Sequence, residues 1–206
     1  MQTRTIFWAG VVTATLSVSA MQSPPAPRGG EWRWHGGDSG STKYSPLDQI
    51  TRDNVSQLRV VWRRPAVDAS LSGAAATLSF SHDFRATPLM VDGVLYASNG
   101  IGLVEAFDPG TGRTKWVQQP FPDEPDRGLA GNSTRGIAYW AAGGARHIFV
   151  IRGEYLIALD PATGAPVRSW GDGGRVHLRA GLGPRAKLYQ SSSGPQVCAD
   201  VVMTGA

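Results

Sequence analysis

Cysteine occurs once in the 206 residues, at Cys198. An internal disulfide is therefore excluded, and no CxxC pair or Cys/His cluster with zinc spacing exists to hold a structural metal. Cys198 itself reads as a small buried hydrophobe in a strand. Blocks of like charge are also missing: 20 basic and 16 acidic residues are scattered, for a formal charge of +4, with no run of five or six of one sign. Without a basic patch interleaved with aromatics, nucleic acid is not an expected partner. Helical periodicity is scarce, and no apolar run reaches the ~20 residues that a membrane-spanning helix needs. What the chain does have is 41% apolar residues with 26 glycines and 14 prolines, the composition of a globular domain built from short strands and turns.

The first residues read as an address. "MQTRTIFWAGVVTATLSVSAMQ" has a basic start at Arg4, an apolar run from Ile6 to about Val18, and small residues Val18, Ser19 and Ala20 suited to a signal-peptidase cut. Residues 1–20 are thus expected to be a cleaved export signal, the competing reading being an uncleaved anchor. Residues 21–30, which contain "SPPAPRGG", form a Pro/Gly linker. The folded domain is expected over 31–206.

From Glu31 onward the pattern is strand and turn. "TPLMVDGVLYAS" holds two apolar runs split by Asp92-Gly93, a pair that tolerates the positive φ of a tight hairpin turn. "GLVEAFD" is a further strand, "DPGTG" a turn with Asp108 at its start, Pro109 presetting φ and Gly112 at its end, and "RTKWVQQ" a fourth strand. The same plan then repeats as "GIAYWAA", "RHIFVIR", "EYLIALD" and the turn "DPATG", with a fourth strand expected to end near Trp170. Ala158 minus Ala106 and Asp160 minus Asp108 both give 52, and a third copy starts at "SSGPQVCADVVMTGA", where Asp200 minus Asp92 gives 108. "TRDNVSQL" is the clearest helical signal, with Thr51 as N-cap, and "RVVWRRP" reads as a strand ending in Trp62. Four strands per unit at a period of about 50 residues is the signature of β-propeller blades. The expected fold class is therefore all-β, a partial β-propeller.

Ala106, Asp108, Thr111, Gly112 and Trp116 fit the pattern A-x-D-x-x-T-G-x-x-x-W, and the second copy keeps Ala158, Asp160, Thr163 and Gly164 but delays its tryptophan two places to Trp170. This resembles the tryptophan-docking motif of the quinoprotein glucose/alcohol dehydrogenases, which use pyrroloquinoline quinone (PQQ). "WRWHGGDSGSTKYSPLDQI", "STRGIAYW" and "SWGDGGRVHLRAGL" resemble other stretches near the start of that family. The likeness covers about residues 31–206 and implies about two four-stranded blades plus partial blades of an eight-bladed propeller. Physically, the motif reads as architecture: the Trp ring packs between blades while Asp and Thr hold the turn backbone.

Chemistry falls on other residues. By the resemblance, Arg135 in "NSTRGIAYW" contacts the quinone, and its guanidinium suits an anionic carboxylate or oxygen. Ser192 is the expected hydroxyl contact, with Ser191 or Ser193 as alternatives if the register differs by one. Arg85 stands where many family members place a Glu, so a carboxylate contact is replaced by a cation that can pair with the quinone's carboxylates. The adjacent cysteines of the alcohol-oxidising branch are replaced by Leu129 and Ala130, which favours a glucose or polyol type. His35 and His82 lie in loop contexts with no second ligand at metal spacing, and Asp38 reads as a turn cap.

The resemblance further implies calcium, with ligands expected beyond residue 206 together with the catalytic Asp, so no catalytic or metal residue is assigned within the chain. It implies an enzyme that oxidises a sugar, polyol or alcohol hydroxyl: a base takes the hydroxyl proton, a hydride passes to the quinone, and calcium polarises the accepting carbonyl. Electrons then pass to cytochrome c or ubiquinone. The chain is expected to be an N-terminal fragment, inactive alone, of a periplasmic protein associated with the inner membrane. A different class of reading, a non-catalytic propeller scaffold of the outer-membrane assembly type, requires a lipobox cysteine that is not found near Ala20.

Overall fold

The computed structural model describes residues 29–71, 85–123, 136–183 and 193–205. The signal and most of the linker, His82, Arg135, Ser191 and Ser192 lie outside the described residues. Ten strands form three antiparallel sheets in chain order: β1 (Leu89–Val91), β2 (Val94–Ser98), β3 (Val104–Phe107) and β4 (Thr114–Val117); β5 (Ala138–Ala142), β6 (Ala145–Arg152), β7 (Tyr155–Leu159) and β8 (Arg175–His177); and the hairpin β9 (Gln196–Cys198) with β10 (Val201–Met203). The architecture is all-β, as expected. Among the described residues no helix is long and apolar enough to cross a membrane.

Local chemistry explains the strand pairing. Asp92 and Gly93 both take positive φ, 49° and 75°, which is the backbone of a two-residue hairpin turn whose twist matches its flanking strands. Val91 accordingly faces Val94, and Leu89 faces Tyr96. Both faces of each four-stranded sheet carry buried residues, most of all in β3 and β7. Leu89, Val91, Val104 and Ala106 of the first sheet meet Tyr139, Ile148, Val150, Ile157 and Leu159 of the second. The far face of the second, with Phe149, Ile151 and Leu156, is covered in part by Trp170, Val197 and Val202. Since burying a Leu, Ile or Val contributes ~1.5–3 kcal/mol, the contact between sheets dominates stability, as expected of adjoining propeller blades.

The repeated turns show how one blade is fastened to the next. Asp108 Oδ1 accepts the amides of Gly110 (3.1 Å) and Thr111 (2.8 Å) and the Thr111 hydroxyl (2.8 Å). Asp160 likewise accepts the amides of Ala162 (2.7 Å) and Thr163 (3.2 Å). The Trp116 indole donates to the Pro161 carbonyl at 2.9 Å, and the Trp62 indole donates to the Pro109 carbonyl, also at 2.9 Å. Each tryptophan therefore docks on the turn of the following blade. Gly112 and Gly164 make room for it: a Cβ on Gly112 would lie 2.7 Å from the Trp62 ring, and one on Gly164 would overlap Trp116.

Four expectations are corrected by the structure. Residues 58–65 are extended but pair with no strand, so Trp62 is a docking residue on an unpaired segment. Thr51 is not a side-chain cap: a 3-10 turn at Val55–Gln57 follows Asn54, whose carboxamide accepts the Thr51 amide at 2.7 Å. The fourth strand of the second blade does not run to Trp170. After the turn, Val167 donates to Ala158 O, the chain then detours through Trp170, and Ala158 donates to Gly174 O where β8 resumes the ladder. The two extra residues before the tryptophan are taken up in that detour. Cys198 is exposed, because alternation in β9 sends Val197 toward the second blade and Gln196 and Cys198 away from it.

Candidate functional site

The residues just before β1, β5 and β9 converge. Thr87, just before β1, pairs in parallel with Gly136, just before β5. Gly194, just before β9, lies so close to the Gly136 backbone that a Cβ there would approach Gly136 O to 3.1 Å. Around this meeting point lies a cavity of about 530 Å3 whose lining includes His35, Arg85, Gly136, Ile137, Ser193 and Thr204. Ile137 anchors it to the core between the blades. The cavity thus sits where sequence-distant strands open side by side.

Of the predicted site residues, Arg85 lines this cavity. Ser193, the alternative hydroxyl one place after Ser192, lines it as well. Arg135 and Ser192 lie outside the described residues, but their immediate neighbours in sequence, Gly136 and Ser193, form part of the wall. His35, given little weight because no metal partner stands at suitable spacing, also lines it. Spacing along the chain could not reveal that placement, which depends on the N-terminal segment folding back over the first blade. Asp38 is a turn cap, as read: its carboxylate accepts the Thr42 amide (3.0 Å) and hydroxyl (2.5 Å), bonds that lower its pKa.

Arg85 is the charged residue of the described lining, and no Asp or Glu contributes to it. A guanidinium, an imidazole and two hydroxyls among the described lining are the kinds of donor that suit an anion. Elsewhere, buried charge serves architecture. Glu105 in β3 accepts a bond from Arg64, the Asp68 amide (3.1 Å) and the Asn99 carboxamide (2.8 Å). The Arg64 guanidinium also lies 4.3 Å from the centre of the Phe107 ring. The Thr114 hydroxyl donates to Asp68, which holds that carboxyl below its ordinary value. This network ties residues 64–68 to the first blade.

Residues 32–206 match the family model described as the PQQ glucose/ethanol/alcohol dehydrogenase β-propeller domain. The chain belongs to the PQQ dehydrogenase propeller family. It is 32% identical to a 1-butanol dehydrogenase (cytochrome c) of Thauera butanivorans over 95% of this chain and 26% of that protein. It is 34% identical to a quinohemoprotein alcohol dehydrogenase of Comamonas testosteroni over 69% of this chain and 18% of that protein. The crystal structure of the Comamonas testosteroni enzyme superposes with a TM-score of 0.60 at 28% identity, covering 86% of this chain and 23% of that one. The chain thus spans about a quarter of the length of such relatives. They are dehydrogenases by name, so the scaffold alternative is not favoured.

The PQQ propeller's cavity fits its family's cofactor by its donor set, because PQQ is a polycarboxylate and the described wall is cationic and free of acidic groups. Calcium does not find the same support. Among the described residues no group of three or more His, Cys, Asp or Glu gathers, and calcium takes six to eight oxygen ligands.

Proposed function

We propose that this chain builds one wall of the quinone site in an oxidoreductase that converts an alcohol, polyol or sugar hydroxyl to a carbonyl, with PQQ as the first electron acceptor. The observation that carries the reading is the convergence of the openings of β1, β5 and β9 on a cavity that holds Arg85 and no carboxylate among its described lining. When bound, the quinone supplies the capacity to accept a hydride equivalent. The chain's own residues bind and orient it. Arg85 and Arg135 offer guanidinium forks to carboxylates, and a hydroxyl at Ser192 or Ser193 adds a neutral donor. Ile137, which lines the cavity, belongs to the buried apolar cluster between the blades.

The finer parts of the reading rest on the family likeness: calcium held by residues outside these 206, a substrate of glucose or polyol type, cytochrome c or ubiquinone as the next acceptor, and a periplasmic setting reached through residues 1–20. The relatives' names carry both alcohol and polyol substrates, since a glycerol dehydrogenase large subunit of Gluconobacter oxydans is 28% identical over 85% of this chain.

The test is a fluorescence titration of PQQ into the full-length apoprotein. Arg135→Ala and Arg85→Ala should each weaken binding by about tenfold or more, because a hydrogen bond to a charged group contributes ~1.5–3 kcal/mol and ~1.4 kcal/mol is a factor of ten. Circular dichroism should stay unchanged. Wild-type affinity in both variants would remove these residues from the site.

A further inference from the structure

The N-terminal segment that carries His35 is built with more constraint than an architectural strap needs. Trp32 pairs with Met90 in β1 through both backbone bonds, 2.9 and 3.0 Å. From there the chain makes a closed loop: Gly37 N donates to Trp34 O (2.9 Å) and Lys43 N to Gly36 O (2.8 Å). Ser41 and Lys43 take positive φ, 53° and 56°, a region that residues with side chains rarely enter. Gly36 and Gly37 are buried beneath Ser41 and the Trp32 ring; a Cβ on Gly36 would lie 2.6 Å from the Ser41 Cα. Between Trp34 and this buried pair stands His35, exposed and lining the same cavity as Arg85, Ser193 and Thr204. Backbone strain of this kind persists where the surroundings over-determine it, and it is concentrated at functional sites.

We propose that His35 is a further residue of the quinone site, a ring N–H donor that contacts the anionic edge of the cofactor opposite Arg85. The inference rests on the reading above that the cavity takes PQQ. The loop supplies what such a contact requires. Its anchor on β1 places it on the element that opens beside Arg85 and Thr87, and its internal backbone bonds hold the loop without help from the ligand, so little backbone freedom is lost on binding. Arg85 lines the same cavity, so an acceptor on the ligand can meet a guanidinium as well as the imidazole.

Three measurements on the full-length protein decide the matter. Modification of His35 by diethyl pyrocarbonate, followed by peptide mass spectrometry, should slow severalfold when the apoprotein is saturated with PQQ. In the fluorescence titration His35→Leu should weaken PQQ binding by about tenfold. His35→Gln, which keeps a donor near the same place, should recover most of that loss. The thermal transition should be unchanged in both variants, and if His35→Leu fails to fold, the footprint on the wild-type protein decides. Equal modification rates with and without quinone, in a wild-type protein that binds it, would overturn the inference and leave the reading of the cavity standing. A wild-type apoprotein that binds no PQQ would overturn both.

Discussion

Buried charge in this chain is placed where a single side chain joins two parts of the fold. Glu105 is 4% exposed and depends on Arg64, Asn99 and the Asp68 amide for its compensation. Arg64→Met keeps the apolar contact with Phe107 but leaves the carboxylate without its cation. Breaking a buried pair from one side costs ~3–5 kcal/mol. The expected result is a loss in that range by urea denaturation of the full-length protein, with much of it recovered in the Arg64→Met/Glu105→Gln double variant. A single variant as stable as wild type would show that Asn99 and the Asp68 amide suffice. None of this was visible in the sequence, because Arg64 and Glu105 stand 41 residues apart and nothing local marks them as partners. The same holds for the site. Arg85 could be singled out because a matching block surrounded it, whereas His35 stood in a glycine-rich turn whose destination only the folded chain reveals.

At the level of elements, what was legible depended on local turn chemistry. Asp92-Gly93 and the two Asp-Pro turns announce themselves because φ and side-chain acceptor geometry are set within four residues. The strand after the second turn was misplaced because a tertiary detour through Trp170 interrupts it, and no local propensity encodes that. Docking can be tested against turn strain by comparing two glycines. Gly93 (φ 75°) and Gly164 (φ 72°) have nearly the same backbone, but a Cβ on Gly93 meets nothing within 4 Å while one on Gly164 runs into Trp116. Gly93→Ala should cost only the left-handed penalty of ~1–2 kcal/mol. Gly164→Ala should cost that and the displacement of the Trp116 ring, with loss of its bond to Pro161 O. Equal losses for the two, measured by chemical denaturation, would mean that the tryptophan contributes nothing to joining the blades.

On the scale of the whole molecule, the blades are stacked in a row and stability comes from what covers each face. The interface between the two complete sheets holds a buried apolar cluster, whereas the described residues leave apolar surface at the ends of the row. Toward the N-terminal end, the segment around Trp62 exposes Val60 and Val61 (66% and 73%), and Tyr44 and Ile50, earlier in the chain, are exposed at 69% and 63%. Among the described residues its backbone pairs with no strand, so exposed apolar side chains lie along an unpaired segment, a combination that favours pairing with another chain. At the other end, the far face of the second blade is covered only in part by the β9–β10 hairpin. Expressed without any further sequence, these 206 residues should therefore self-associate. Sedimentation velocity should show oligomers whose size grows with concentration, and Val60→Lys/Val61→Lys, which charges the open segment without touching Trp62, should shift the distribution toward monomer. A monodisperse wild-type monomer with a sharp, reversible thermal transition would show instead that the interface between the two blades is sufficient, and that the exposed ends carry no cost that another chain could relieve.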